Sequence, residues 1–268
     1  MKAKLFLILM LCVSALTSCR TEDTHEFIEG SLYIFSARKC NYVFLHNVKD
    51  EYRVSGDYTY RSESYMEKGE TVSIDNYVLE FSTCNVGMDM IMSSLQEHYP
   101  TMYESYMAGR EDSLKEPLGE YVSYYDDADK EIENKLHVYF YGKTRTILKN
   151  ISYRTTPIKD LKITSSVKIG NVEAGEALNN LLEVAGYSGR NYFIITANKD
   201  LITEKDRIYN IGIDQYLSYH PMAPAGMKLK FRDGVKIDEP VDACFQIELT
   251  TDDGRVLKAE SRHITLVP

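Results

Sequence analysis

Tryptophan is absent from the 268 residues, and cysteine occurs only five times. Five cysteines are too few for a disulfide scaffold. The lack of Trp weakens a glycan-binding reading, because sugars stack well on its ring. Basic residues are also in short supply, with 31 Lys and Arg against 40 Asp and Glu. A chain this acidic is a poor coat for nucleic acid or anionic lipid, both of which need clustered cations. The familiar catalytic signatures are missing too: no Gly-x-Ser-x-Gly, no Walker loop, no dinucleotide fingerprint and no His-Glu-x-x-His. Only one apolar run is long, and it stops short of the roughly 20 residues that a membrane-spanning helix needs.

That run is Leu5 to Leu16, preceded by Lys2 and Lys4 and followed by Thr17-Ser18-Cys19. A short basic segment ahead of such a run is the layout of an export signal. Leu16-Thr17-Ser18-Cys19 resembles the bacterial lipobox, which implies cleavage before Cys19 and lipidation of that residue. Several acyl chains are then expected, since a single chain anchors only marginally. Loss of the two signal lysines takes the net charge from −9 to −11. Arg20-Thr21-Glu22-Asp23 is similar to the surface-export signal of Bacteroidota lipoproteins, and a plain solvated tether explains it equally well. The expected location is the outer membrane, lipid-anchored and facing the cell surface or the periplasm.

The charged and aromatic content, 26% and 11%, is that of a folded chain. Short branched and aromatic runs at 32–35, 42–45, 52–60, 71–74 and 77–81 read as strands. Ser55-Gly56-Asp57 and Asp75-Asn76 are turn candidates. Met88, Ile91, Met92, Leu95 and Tyr99 follow helical spacing, and Thr101 can cap a second short helix. Residues 110–134 read as an exposed loop, with strands resuming at 136–141 and 146–153 around a Gly142-Lys143 turn. Ala177, Leu178, Leu181 and Leu182 suggest a short helix or a turn of helix. Leu161, Ile163 and Ser165 alternate with polar neighbours, as do Phe245, Ile247 and Leu249, and Asp253-Gly254 is a strong hairpin signal.

The expected fold is mainly β. A C-terminal antiparallel β-sandwich, Ig-like or transthyretin-like, follows an N-terminal β-rich part with a short helical insertion. The corresponding segments are a signal peptide at 1–18, a tether at 19–30, an N-terminal α+β region at 31–145 and a sandwich domain at 146–268.

The stretches Ile158-Lys159-Asp160-Leu161-Lys162-Ile163-Thr164-Ser165 and Ala174-Gly175-Glu176-Ala177-Leu178-Asn179-Asn180-Leu181, with the Asp253-Gly254 hairpin, carry a likeness. They are similar to a family of uncharacterised cell-envelope lipoproteins of gut and oral Bacteroidota. The resemblance covers roughly Ile151 to Val267. It implies a small β-rich extracytoplasmic domain and no known activity.

Few residues invite chemistry. Cys12 leaves with the signal. Among Cys40, Cys84 and Cys244 one disulfide is conceivable, and Cys40 with Cys84 is the favoured pair, worth about 4 kcal/mol in the chain-entropy model; buried reduced thiols are the alternative. His46 and His137 lie on or beside expected strands, where two histidines can meet on haem, although a strand histidine is more often simply solvated or satisfied. Asp126, Asp127, Asp129 and Glu131 start like a calcium loop, but Ile132 and Val138 occupy positions where that loop needs Gly and Glu. No metal and no cofactor is expected. Asp112-Ser113-Leu114 looks like the Bacteroidota O-glycosylation tripeptide, with Ser113 as acceptor.

The 21 tyrosines are the chain's chief excess. Tyr offers rigid contact area with a polar handle and is also simply a good strand residue. The leading expectation is a non-catalytic binding or assembly module with an unknown protein or glycan partner and no nucleic acid. A motif-less hydrolase and a fimbria-like structural or anchor subunit are the alternatives.

Overall fold

The computed structural model describes residues 33–56, 58–87, 130–140, 149–187 and 193–268, with a few positions between 89 and 96. The N-terminal strands are β1 (Tyr33–Arg38), β2 (Tyr42–Ser55), β3 (Tyr58–Tyr65), β4 (Thr71–Ser73) and β5 (Tyr77–Cys84). Helix α1 (Lys130–Phe140) follows, then β6 (Lys149–Arg154), β7 (Ile158–Ser165), β8 (Leu182–Tyr187), β9 (Phe193–Ile195), β10 (Leu201–Thr203) and β11 (Ile211–Gly212). The short helix α2 (Ile213–Ser218) precedes β12 (Gly226–Phe231), β13 (Val241–Ala243), β14 (Phe245–Thr251), β15 (Val256–Glu260) and β16 (Ile264–Val267).

The chain is mainly β and sandwich-like, as its strand patterns indicate. One layer is an antiparallel six-stranded sheet in the order β11-β8-β12-β5-β2-β3, and a second sheet runs β15-β14-β7. Their facing side chains make the main core. Tyr77 of β5 stacks on Phe245 of β14 with ring centroids 5.1 Å apart, and Phe231 of β12 lies 6.0 Å from Tyr77. Leu79 and Phe81 continue that face of β5, while Ile247 and Leu249 continue the face of β14. The alternation seen in the sequence therefore points inward as expected. The Tyr77 hydroxyl donates to Asn47 Oδ1 at 2.7 Å, and Asn47 Nδ2 donates to the Arg262 carbonyl at 2.7 Å. This satisfies the polar ends of a buried aromatic and a buried amide.

Asp253-Gly254 forms the expected hairpin between β14 and β15, with Gly254 at φ +84°, where a glycine carries no Cβ penalty. Arg255 reaches out of this turn, donating to Asn41 Oδ1 at 2.9 Å and to the Cys40 carbonyl at 3.3 Å. The C-terminal turn is thereby tied to the entry of β2.

One element differs from the sequence reading, and a second is narrowed by the structure. Residues 136–141 were expected as a strand, but Leu136 to Phe140 belong to α1. Ile132, Leu136 and Phe140 are spaced by four and are buried together beneath the helix, against Ala37, Ile151 and Phe193. Helical spacing thus outweighs the local β-rich composition. The same helix takes the last residues of the expected loop at 110–134. Residues 177–182 hold only a turn of helix. Ala177 bridges Thr164, Leu178 N donates to the Ile163 carbonyl at 2.8 Å, and only Asn179 to Leu181 make a 3-10 turn before β8. The Asn179 side chain accepts from Ile163 N at 3.1 Å and donates to the Leu161 carbonyl at 2.6 Å. It mimics a neighbouring strand along the edge of β7.

The division expected near residue 145 is not reflected in the pairing. β5 pairs with β12, β4 runs parallel to β16, and β1 runs parallel to β6 over six residues. Each of these contacts joins residues from opposite sides of 145. β16 lies between β13 and β4, so the terminal strand is paired along both edges. Around Ile91 the backbone is helical, and Ile91 is fully buried, as the periodic stripe there implies. The second helix expected after Thr101 lies outside the described residues.

Phe245→Ala removes the partner of Tyr77 and opens a cavity in the shared core. It is expected to cost about 3–5 kcal/mol in urea unfolding, with one transition reported by probes in both halves. Separate transitions for residues before and after 145 would contradict this packing.

Candidate functional site

β2 is longer than the sheet that supports it. It pairs with β5 over Tyr42–Lys49 and with β3 over Val48–Ser55, so from Asp50 onward β3 is its only strand partner. The two strands project as a ribbon closed at Ser55 and Tyr58, with Gly56 in the left-handed region at φ +60°. Tyr52, Val54 and Tyr58 are 77%, 74% and 79% exposed, and Tyr60 is exposed as well. Because side chains alternate along a strand, Tyr52 and Val54 lie on one face of the ribbon, and Tyr58 and Tyr60 on the other. Two-stranded ribbons are marginal alone, and an ion pair helps at the root of this one. Arg61 Nε lies 2.7 Å from each oxygen of Asp50, and this hydrogen bonding raises the guanidinium pKa.

Behind the ribbon, the face of the six-stranded sheet turned away from the aromatic core carries a polar row. Register sets His46 of β2 directly opposite Glu80 of β5, and Glu80 opposite Lys228 of β12. Lys228 pairs with Glu63 of β3, and Lys230 with Glu183 at 3.1 Å. His46 packs edge-on to Tyr65 with centroids 5.5 Å apart. Glu80 and His46 are only 6% and 8% exposed. Glu80 opposite Lys228 and Lys230 opposite Glu183 set opposite charges on neighbouring strands, the favourable arrangement for cross-strand pairs. The ion pair between Lys228 and Glu63 ties the edge strand β3 back to β12. No sequence motif announces this row, whose members are up to 182 positions apart (His46 to Lys228); only the topology assembles them.

A cleft opens where β6 meets β9 and the end of β12. Tyr153, Arg154, Tyr187, Tyr216, Met222 and Gly226 line it, and its volume is about 20 Å³. That is space for about one water molecule, far below the size of a small-molecule site. The buried Arg154 guanidinium is engaged by the protein itself. Nε donates to Thr83 Oγ1 at 2.9 Å and to the Thr83 carbonyl at 3.1 Å, and Nη1 donates to Ser152 Oγ at 2.9 Å. Burial, reinforced by Tyr209 and Tyr219, raises the Tyr187 phenol far above its usual value. The lining supplies no carboxylate, histidine or thiol, so the paired acids that would mark a hydrolase pocket are not found there.

Of the residues singled out in the sequence, Cys19, Ser113 and the acids at 126, 127 and 129 lie outside the described residues. Cys40, Cys84 and Cys244 are buried thiols, the alternative reading, rather than the favoured Cys40–Cys84 disulfide. Cys40 N instead donates to Thr156 Oγ1, and Cys84 lies opposite Tyr42 in the β2–β5 ladder. Burial and the adjacent Glu260 push the Cys244 thiol up to about 11. His46 and His137 have different neighbours, Tyr65 for the first and Phe35 for the second. Among the described residues no three His, Cys, Asp or Glu side chains gather to hold a metal ion. The exposed ribbon went unrecognised because an exposed and a half-buried strand show the same β-rich composition; the turn at Ser55-Gly56 was its visible signal.

Compared with protein-family models, curated proteins and solved structures, the chain matches none of them.

Arg154→Met is expected to destabilise the protein by about 1.5–3 kcal/mol in thermal or urea unfolding, because the Thr83 carbonyl loses a charged donor in a buried site. Unchanged stability would show that the guanidinium is dispensable.

Proposed function

We propose that the chain is a lipid-anchored cell-envelope protein whose body serves as a non-catalytic binding or assembly module at the outer membrane. The observation that carries this reading is the projecting ribbon with Tyr52, Val54, Tyr58 and Tyr60 exposed on its two faces. Large apolar and aromatic side chains grouped on one exposed feature are typical of contact surfaces. Tyr suits that role because it combines contact area, few rotatable bonds and a hydrogen-bonding hydroxyl. The export signal and lipobox-like Cys19 supply the membrane attachment in this reading, so the acidic body needs no basic patch to reach the membrane. The partner is a protein or a glycan. Proteins fit the ribbon better, since its exposed side chains are split between two faces, Tyr52 with Val54 and Tyr58 with Tyr60, rather than forming one flat stacking platform.

The test is cross-linking of the full chain on intact cells with a membrane-impermeant reagent, comparing the natural protein with the triple variant Tyr52→Ser, Tyr58→Ser, Tyr60→Ser. Exposed substitutions of this kind leave stability nearly unchanged, so the variant is expected at equal abundance with its cross-linked product reduced about tenfold or more. Absence of any product with the natural protein contradicts surface display. Equal product from both contradicts a role for the ribbon.

A further inference from the structure

The outer edge of β3 has the chemistry to pair with itself. Among the described residues β3 ends the six-stranded sheet, and Tyr58 to Arg61 and Glu63 are exposed. Natural edge strands are usually kept short, bulged or covered, because an open edge templates another strand. β3 runs eight residues without a register shift against β2.

The pairing pattern shows which backbone groups point outward. Ser55 and Tyr58 flank a two-residue turn, and Met66 N donates to the Asn47 carbonyl at 2.9 Å. The even-numbered residues of β3 therefore bond inward to β2. In an antiparallel ladder the alternate residues face the other way, so Thr59, Arg61 and Glu63 direct their N–H and C=O groups away from the sheet.

Two copies meeting edge to edge about a two-fold axis must pair outward-facing residues with outward-facing residues. Four registers overlap the strands by five residues or more; one, centred on Tyr60, sets Arg61 against uncharged Thr59 over only five residues, and the other three set charge against charge. Of these three, one sets Arg61 against Arg61 of the second copy, and another sets Glu63 against Glu63. Both place like charges directly opposite, which is destabilising. The third centres the axis on Ser62 and sets Arg61 against Glu63 twice. In that register each Arg61–Glu63 pair exchanges two backbone hydrogen bonds, and the opposed side chains carry opposite charge. Each side chain also keeps its own partner within the sheet, Asp50 for Arg61 and Lys228 for Glu63. The Lys228–Glu63 pair of one copy is thereby joined to the Arg61–Asp50 pair of the other.

We infer that this edge is a homodimer interface, in which a second copy adds its β3 antiparallel to the first and joins two six-stranded sheets into one. Like-charge opposition in two competing registers, and the shorter overlap without charge pairing in the one centred on Tyr60, select the register centred on Ser62. The inference goes beyond the binding reading and does not rest on it, since it uses the backbone edge and the charges of β3 rather than the exposed tyrosines.

The experiment uses the full mature chain. In the selected register the two Ser62 residues oppose one another as a non-hydrogen-bonded pair, where opposed side chains come closest. Ser62→Cys is therefore expected to give a disulfide-linked dimer under mild oxidation in the membrane, while Tyr60→Cys, which opposes Ser64 of the second copy, is expected to link poorly. In detergent, Arg61→Glu is expected to weaken self-association about tenfold or more by sedimentation, and the added Glu63→Arg is expected to restore it. The serine variant of Tyr52, which lies on β2 and away from the edge, is expected to associate like the natural protein, which separates this interface from the binding surface. A chain that stays monomeric at about 100 µM, well above the range of a specific dimer, would overturn the proposal. So would equal linking at positions 60 and 62, or association indifferent to Arg61→Glu.

Discussion

The stack of Tyr77 on Phe245 is the contact on which the rest of this structure depends. It joins β5, from the first third of the chain, to β14, from the last. Each ring is fully buried, and burial of such side chains is worth roughly 1.5–3 kcal/mol apiece. Phe231 closes the same cluster from β12, so three strands of distant sequence meet in one aromatic contact. The hydroxyl of Tyr77 then fixes Asn47, and Asn47 fixes the backbone at Arg262. The same residue that fills the core thus sets β2 at a definite height against the C-terminal strands. The projection of β2 beyond the sheet follows from that placement.

Support is graded along β2. Near Leu45 the strand lies over the aromatic core and pairs with β5, and at Val48 and Lys49 it has a strand on each side. Near His46 and Val48 its other face contributes to the polar row that reaches across to Lys228. Past Asp50 the strand has only β3 beside it, and the exposed tyrosines begin there. A rigid base carrying a thinly supported ribbon suits a contact surface, because the base keeps the ribbon oriented while its side chains remain open to a partner. The small cleft at Arg154 is the opposite kind of feature, with the guanidinium turned to the protein's own carbonyl and hydroxyls.

Much of the secondary structure was legible in the sequence. Alternation at Leu161, Ile163 and Ser165 and at Phe245, Ile247 and Leu249 gave strands with the correct inward faces, and Asp253-Gly254 gave its turn. Helix α1 was hidden because Leu136 to Phe140, taken alone, has a strand-like composition; the i, i+4 spacing back to Ile132 is the only local clue. At 177–182 a turn of helix is legible and is found at Asn179–Leu181, while the strand-like contacts around it are not legible. Leu178 and Leu182 are four apart, yet the Asn179 side chain satisfies the free edge of β7, and no propensity rule encodes that contact. The candidate site was less legible than the fold. Which strands adjoin is a long-range property, so the His46–Glu80–Lys228 register and the open edge of β3 emerge only once β5 is seen between β2 and β12.

The central claim is that residues on both sides of position 145 fold as one cooperative body from which the β2–β3 ribbon projects. Native-state hydrogen exchange tests it most directly. The account predicts that amides of β5 and β14 open with the same free energy, equal to that of global unfolding, while the outward amides of Thr59, Arg61 and Glu63 exchange far faster when the chain is monomeric. Distinct opening energies for β5 and β14, or protection of those β3 amides equal to the core, would contradict it.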